Sequence, residues 1–278
     1  MNRRQFVATI AGLASGLHAD FGSRAGGSVE QGSTRIRPVG LQLYTIRSVL
    51  DEDFRNAMEQ VAEIGYDEVE FAGYYDYSPD EMRRLLEELG LVSPATHIPL
   101  EQIREAPAKV IKRAQASGHQ CVVCPYLAEE ERGSLANYRV LAEEFSTFGQ
   151  QCTGAGLQFA YHNHDFEFME TDSTLPYDVL LQETDPEHMK MELDLYWITE
   201  AGYDPLTYIE KNPARYPLCH VKDRGPEGAM TPVGEGTMDL AGLFRRAEFE
   251  HYFVEHDNPE HPMQSIETSH GALRDLKI

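Results

Sequence analysis

From Val39 to Asp257, short apolar runs alternate with stretches whose apolar residues recur every three or four positions. A strand repeats its faces every two residues and a helix every 3.6, so the runs read as strands and the stretches as helices. Eight strands are predicted, in order "VGLQLYTI", "YDEVEFAGYY", "VSPATHIPL", "QCVVCPYL", "LQFAYHNH", "MKMELDLYWI", "YPLCHVKDR" and "HYFVEHD". Between them lie helical segments such as "DFRNAMEQVAEIG", stopped by Gly65, and the long "LANYRVLAEEFSTFGQQCTGAG". "SPDEMRRLLEELG" has Ser78 as a cap, Pro79 in the first turn and Gly90 as a stop.

This alternation predicts a parallel sheet, and eight units fit the size of a (β/α)₈ barrel. An open, doubly wound sheet would alternate as well, and the polar residues separate the two. Most predicted strands end in one: Glu70, His97, His162, Asp194, His220 and Glu255. A barrel brings such ends to one mouth, where barrel enzymes keep their active sites, whereas an open sheet spreads them along an edge. No G-x-G-x-x-G follows the first strand, so a dinucleotide fold lacks its fingerprint. The expected fold class is α/β, a single (β/α)₈ TIM barrel over residues 38–278.

The residues before the barrel follow a different pattern. "MNRRQFVATIAGLASGLHA" has a basic start at Arg3 and Arg4, a short apolar stretch and a small residue at Ala19. That is the layout of an export signal, and the arginine pair before Gln5 and Phe6 resembles a twin-arginine signal. A signal over 1–19, a Gly/Ser/Arg-rich linker over 20–37 and a periplasmic or otherwise exported location are expected. The apolar part is too short for a membrane span, so no membrane anchoring is expected.

A net charge of −22 argues against a nucleic-acid partner, because phosphate backbones are read by clustered Lys and Arg. The same acidity is compatible with binding a cation. Cys121 and Cys124 form a C-x-x-C inside a strand pattern, with no second pair to complete a zinc site, and with Cys152 and Cys219 they read as core residues.

The candidate chemistry sits at the strand ends. Glu192 and Asp194 share a face of strand six, and His162 and His164 share a face of strand five with Asn163 opposite. His220 ends strand seven with Lys222 and Asp223 beyond it, and Glu255 ends strand eight with His256 and Asp257 beyond it. Carboxylates and imidazoles from separate strands suit a divalent ion. Burying several carboxylates together without a cation is costly, since they repel and each loses its water. Asp223, His256 and Asp257 read as caps or loop residues. Tyr44, Tyr74, Tyr75 and Trp197 read as packing residues or a sugar-stacking wall.

Taken together, "GLQLYTIR", "AEIGYDEVEFAGYY", "YHNHDFEF", "ELDLYW", "HVKDR", "VGEGTMDL" and "FVEHDNP" resemble the xylose isomerase-like TIM barrel superfamily, and within it the sugar phosphate isomerase/epimerase branch. The resemblance covers almost the whole chain after residue 38. It implies a divalent metal, Mn²⁺ foremost with Mg²⁺, Co²⁺ or Zn²⁺ as alternatives, held by His162, Asp194, His220 and Glu255. In the ketose epimerases of this superfamily the strand-five position is normally a Glu that pairs with the strand-eight Glu in acid–base work. Here that position falls on His162, and Glu167 is the nearest acid that could replace it.

The implied activity is metal-dependent sugar isomerisation or epimerisation by proton abstraction next to a carbonyl, through an enediolate. Glu255, His162 or His164 is the expected acid–base group. Lys222 is either a charge partner for the acids or a substrate contact. Glu70, His97, Trp197 and Glu235 are the other expected substrate contacts. The expected partner is a small-molecule sugar or keto-glycoside, with the oligomeric state open and a homodimer among the options. Two alternatives are elimination of an aglycone from a 3-keto-glycoside and a non-catalytic sugar-binding barrel. A metal-dependent endonuclease on the same barrel would need a basic groove, which the charge opposes.

Overall fold

The computed structural model describes residues 36–278. The expected signal, and the linker up to residue 35, lie outside the described residues. The strands are β1 (Val39–Gln42), β2 (Glu68–Glu70), β3 (Ala95–His97), β4 (Cys121–Cys124), β5 (Gln158–His162), β6 (Met189–Asp194), β7 (Leu218–Val221), β8 (Asp223–Arg224), β9 (Met230–Thr231) and β10 (His251–Val254). Eight of them form one sheet in the order β2-β1-β10-β7-β6-β5-β4-β3, every pair parallel. The two ends of that order meet through the bridges Glu68–Val92 and Phe71–Thr96, and the His97 N–H donates to the Phe71 carbonyl at 2.7 Å. The sheet therefore closes into the expected barrel, with β10 as its eighth strand. β8 and β9 are a small antiparallel hairpin in the loop after β7.

Helices start and stop where local chemistry dictates. Helix Pro79–Leu89 has a full capping box from Ser78 and Glu81 and ends on Gly90 at φ 70°. Two predicted strands end earlier than their apolar runs. "LYTI" curls into a 3₁₀ turn because the Gln42 side chain accepts from the Tyr44 N–H at 2.9 Å. β6 stops at Asp194, whose carboxylate caps helix Leu195–Glu200 by accepting from the Trp197 N–H at 2.8 Å. Trp197 thus belongs to a helix, although its apolar surroundings read as strand. Helix Pro262–Asp275, which the strand–helix rhythm did not extend to, packs on β1 and on the turn after it. All four cysteines are buried and unpaired, as core residues.

The barrel interior is layered. Ala95, Cys121, Val123, Ala160, Leu218 and Phe253 make an apolar plug. Two residues further along each strand, the next inward positions are His97, Pro125, His162, His220 and Glu255. The plug thus carries the polar layer directly above it. Gly40 faces this plug, and a Cβ there would stand 2.4 Å from the Phe253 ring. Gly40→Ala is expected to destabilise the barrel by about 1–3 kcal/mol through overpacking. Urea denaturation reads this, and an unchanged midpoint would mean that the Phe253 ring gives way freely.

Candidate metal centre

Four side chains from four neighbouring strands converge at the barrel mouth. His162 (β5), Asp194 (β6), His220 (β7) and Glu255, just past β10, each offer a ligand atom, all within 4.8 Å of one another, and all four are buried. His162 Nδ1 lies 3.0 Å from the Pro125 carbonyl, which can only accept, so that nitrogen carries the proton. Its Nε2 faces Asp194 Oδ2, 3.1 Å away. His220 repeats the pattern. Its Nε2 lies 2.8 Å from Glu70 and 3.1 Å from Glu192, while its Nδ1 faces Glu255 Oε2 at 2.7 Å. In both places an imidazole nitrogen faces a carboxylate oxygen, an arrangement completed by a proton or a cation. Two imidazoles and two carboxylates suit a divalent transition ion, and the donor set fits the implied metal.

Below this cluster lies a charged floor. Glu70 and Glu192 are fully buried, and each touches both His97 and His220. Burial alone would pull His97 down, but Glu70 and Glu192 prevail and raise it to about 9. Gln42 donates to Glu70 at 2.7 Å and fixes its rotamer. This places a carboxylate on the far nitrogen of a ligating His, which orients the ring and raises its basicity. Glu70→Gln is therefore expected to weaken divalent-metal binding about 10–100-fold. Calorimetric titration with Mn²⁺ checks it, and an unchanged affinity would show that Glu70 does not act through His220.

The cluster opens on a cavity of about 530 Å³ whose wall includes Tyr44, His97, Gln102, Tyr126, His162, His164, Lys222, Glu255, Asp257 and Asn258. The Lys222 ammonium lies 2.9 Å from Asp194, 2.8 Å from Glu255 and 2.7 Å from Asp257. Burial works against its charge, but these carboxylates hold it well above the ordinary lysine range. In return Lys222 and the two imidazoles overcome burial and bring Asp194 to about 2. His164 is held neutral, its pKa lowered to about 2 by burial and then by His162 and Lys222. Its ring stacks on Phe166 with a 7° interplanar angle, and its Nδ1 is buried without a partner.

The structure sorts the expected residues. His162, Asp194, His220, Glu255, Lys222, His97 and His164 are brought together. Glu70, expected as a substrate contact, lies under His220 and does not line the cavity. Glu235 is exposed on the loop after β9 and does not line the cavity either. Trp197 backs the wall behind His164 and Lys222, at ring distances of 5.5 and 5.6 Å. Glu167 is turned away, held by the Tyr161 hydroxyl and by the His164 N–H at 2.8 Å, so it braces the His-Asn-His turn instead of replacing an acid. Asn163 faces opposite its neighbours and accepts from the Asp194 N–H at 3.0 Å. Asp257, expected as a cap or loop residue, is a loop residue that lines the cavity as a partner of Lys222. Gln102, on helix Leu100–Glu105, and Tyr126 carry no sequence signal, because their place depends on how the segments after β3 and β4 fold over the mouth.

The family model described as "Xylose isomerase-like TIM barrel" matches residues 58–276. The chain belongs to this family. Among curated relatives of this xylose isomerase-like barrel is an inosose dehydratase from Lacticaseibacillus casei, 24% identical over 210 residues, 68% of this chain and 70% of the relative. A sugar phosphate isomerase/epimerase from Parabacteroides distasonis superposes with a TM-score of 0.74 at 24% identity, over 90% of this chain and 98% of that one. The IOLI protein, solved with a bound zinc atom, superposes with a TM-score of 0.68 at 14% identity, over 86% of this chain and 97% of that one. At these identities the structural likeness carries the fold.

Proposed function

We propose that the protein is a divalent-metal-dependent enzyme that moves a proton at a carbon next to a carbonyl in a sugar-like substrate, as an isomerase or epimerase. The observation that carries this reading is the cluster of His162, Asp194, His220 and Glu255, of which His162 and Glu255 line a cavity large enough for a sugar. A divalent ion held by these residues would supply Lewis-acid polarisation of the substrate carbonyl. His162 and His220 hold fixed orientations through Pro125 and Glu70. Glu255 is the carboxylate of the ligand set that lines the cavity, which makes it the base for the α-proton in this reading, and Lys222 and His220 keep it ionised by holding it well below its ordinary range against burial. Lys222 brings a fixed positive charge beside that base, where negative charge grows on the substrate. An exported site of action belongs to the same reading, supported by Arg3 and Arg4 before the apolar stretch.

A second reading is elimination. With His162 in the place of a carboxylate, and Asp194 held as a helix cap, Glu255 is left as the acid–base carboxylate of the ligand set. One such group suffices to remove an α-proton and expel a β-leaving group, and a curated relative is named a dehydratase. Mass spectrometry of products from free ketoses and 3-keto-glucosides separates the readings. A rearranged product of unchanged mass supports isomerisation or epimerisation. Loss of water or of the aglycone moves the assignment to elimination.

A further inference from the structure

We infer that the substrate of this site carries no phosphate: the cavity takes an uncharged polyhydroxy ketone or keto-glycoside. The inference rests on the proposed function and narrows its substrate class. Many TIM barrels hold a substrate phosphate on backbone N–H groups of the loops after strands seven and eight. In this chain the N–H groups converging after β7 already have an anion. Asp223, at 2% exposure, accepts from the N–H groups of Arg224 at 2.8 Å, Gly234 at 2.9 Å, Gly236 at 3.1 Å and Met238 at 3.3 Å. The fit is tight, since a Cβ on Gly236 would stand 2.1 Å from Asp223 Oδ1. The carboxylate fills this nest after β7, and after β10 the His256 and Asp257 N–H groups already donate to Thr45 Oγ1 at 3.1 Å and Met230 Sδ at 3.2 Å.

The side chains give no substitute. Lys222 is the one lysine or arginine among the described residues that lines the cavity, and three carboxylates surround its ammonium. Two of them, Glu255 and Asp257, line the cavity themselves and would repel a phosphate dianion. At the rim the Arg47 guanidinium donates to the Tyr44 and Asp257 carbonyls and to Asn258 Oδ1, each at 2.7 Å, and lies over the Tyr44 ring. What remains suits a neutral ring. Tyr44 and Tyr126 expose 41% and 46% of their surface for stacking on sugar C–H faces, and Gln102 and Asn258 are uncharged hydrogen-bonding groups.

The test uses matched pairs with the full metal-loaded protein in D₂O: D-fructose with D-fructose 6-phosphate, and a 3-keto-glucoside with its 6-phosphate. Deuterium exchange or product formation is followed by mass spectrometry. The expected result is reaction of a neutral member with kcat/KM at least about 100-fold above that of its phosphate ester, the scale set by like-charge repulsion. An ester handled as well as or better than its neutral partner would overturn the inference while leaving the proton-transfer chemistry standing. Reaction of neither member of either pair would count against the proposed function and, with it, this inference.

Discussion

Glu255→Gln is expected to lower kcat by about 100- to 10,000-fold, the usual worth of a positioned acid–base group. The amide keeps the shape and removes both the base and a charged ligand. His220→Ala is expected to be as damaging for a different reason. It deletes the ring that joins Glu70 and Glu192 below to Glu255 above. Three of the four ligands remain in either variant, but metal occupancy should fall further in His220→Ala, which offers no donor at that position, than in Glu255→Gln, whose amide oxygen can still coordinate. Mn²⁺ binding followed by electron paramagnetic resonance separates these outcomes from turnover. Far-UV circular dichroism checks that the barrel persists, as the apolar plug beneath is untouched. Full activity in either variant would refute the site assignment.

Lys222→Met is expected to destabilise the metal-free protein by about 3–5 kcal/mol, because removing one partner of a buried ion cluster leaves the others uncompensated. The partners here are Asp194, Glu255 and Asp257, all within 2.9 Å of the ammonium. Saturating Mn²⁺ should restore most of that loss, since a divalent cation neutralises two of the same carboxylates and binds only the folded chain. The metal-induced rise in Tm should therefore be larger in the variant than in the wild type. Equal stability of the two metal-free proteins would show that Lys222 is not the counter-charge of this site.

The barrel was legible in the sequence because its signals are local. Ser78, Pro79 and Gly90 mark one helix completely, and the runs around Val123, Ala160 and Phe253 announce strands through their apolar content. The convergence of His162, Asp194, His220 and Glu255 was legible because a polar residue inside an apolar strand has few explanations. Other features depended on contacts across the fold. Glu70 stood out as an interior acid, yet only the closed barrel puts it under His220 instead of at the cavity wall. Glu235 lies in a segment that matched the family, but the loop leaves its side chain in solvent. Glu167 looked like a spare acid until Tyr161 and the His164 N–H were seen to hold it. Asp257 looked like a cap or loop residue, because nothing in its neighbours reveals that Lys222 reaches it across 35 residues of chain.

If the cluster of His162, Asp194, His220 and Glu255 binds a divalent ion, proton abstraction depends on that ion. The most direct test is solvent deuterium incorporation, measured by mass spectrometry in D₂O for Mn²⁺-loaded protein against chelator-treated protein, over neutral ketoses and 3-keto-glucosides. Deuterium is expected in recovered substrate or product with the loaded protein, with its loss on chelation and its return when Mn²⁺ is restored. Stoichiometric metal binding with no deuterium in any of these compounds, or exchange that survives complete removal of metal, would contradict this dependence.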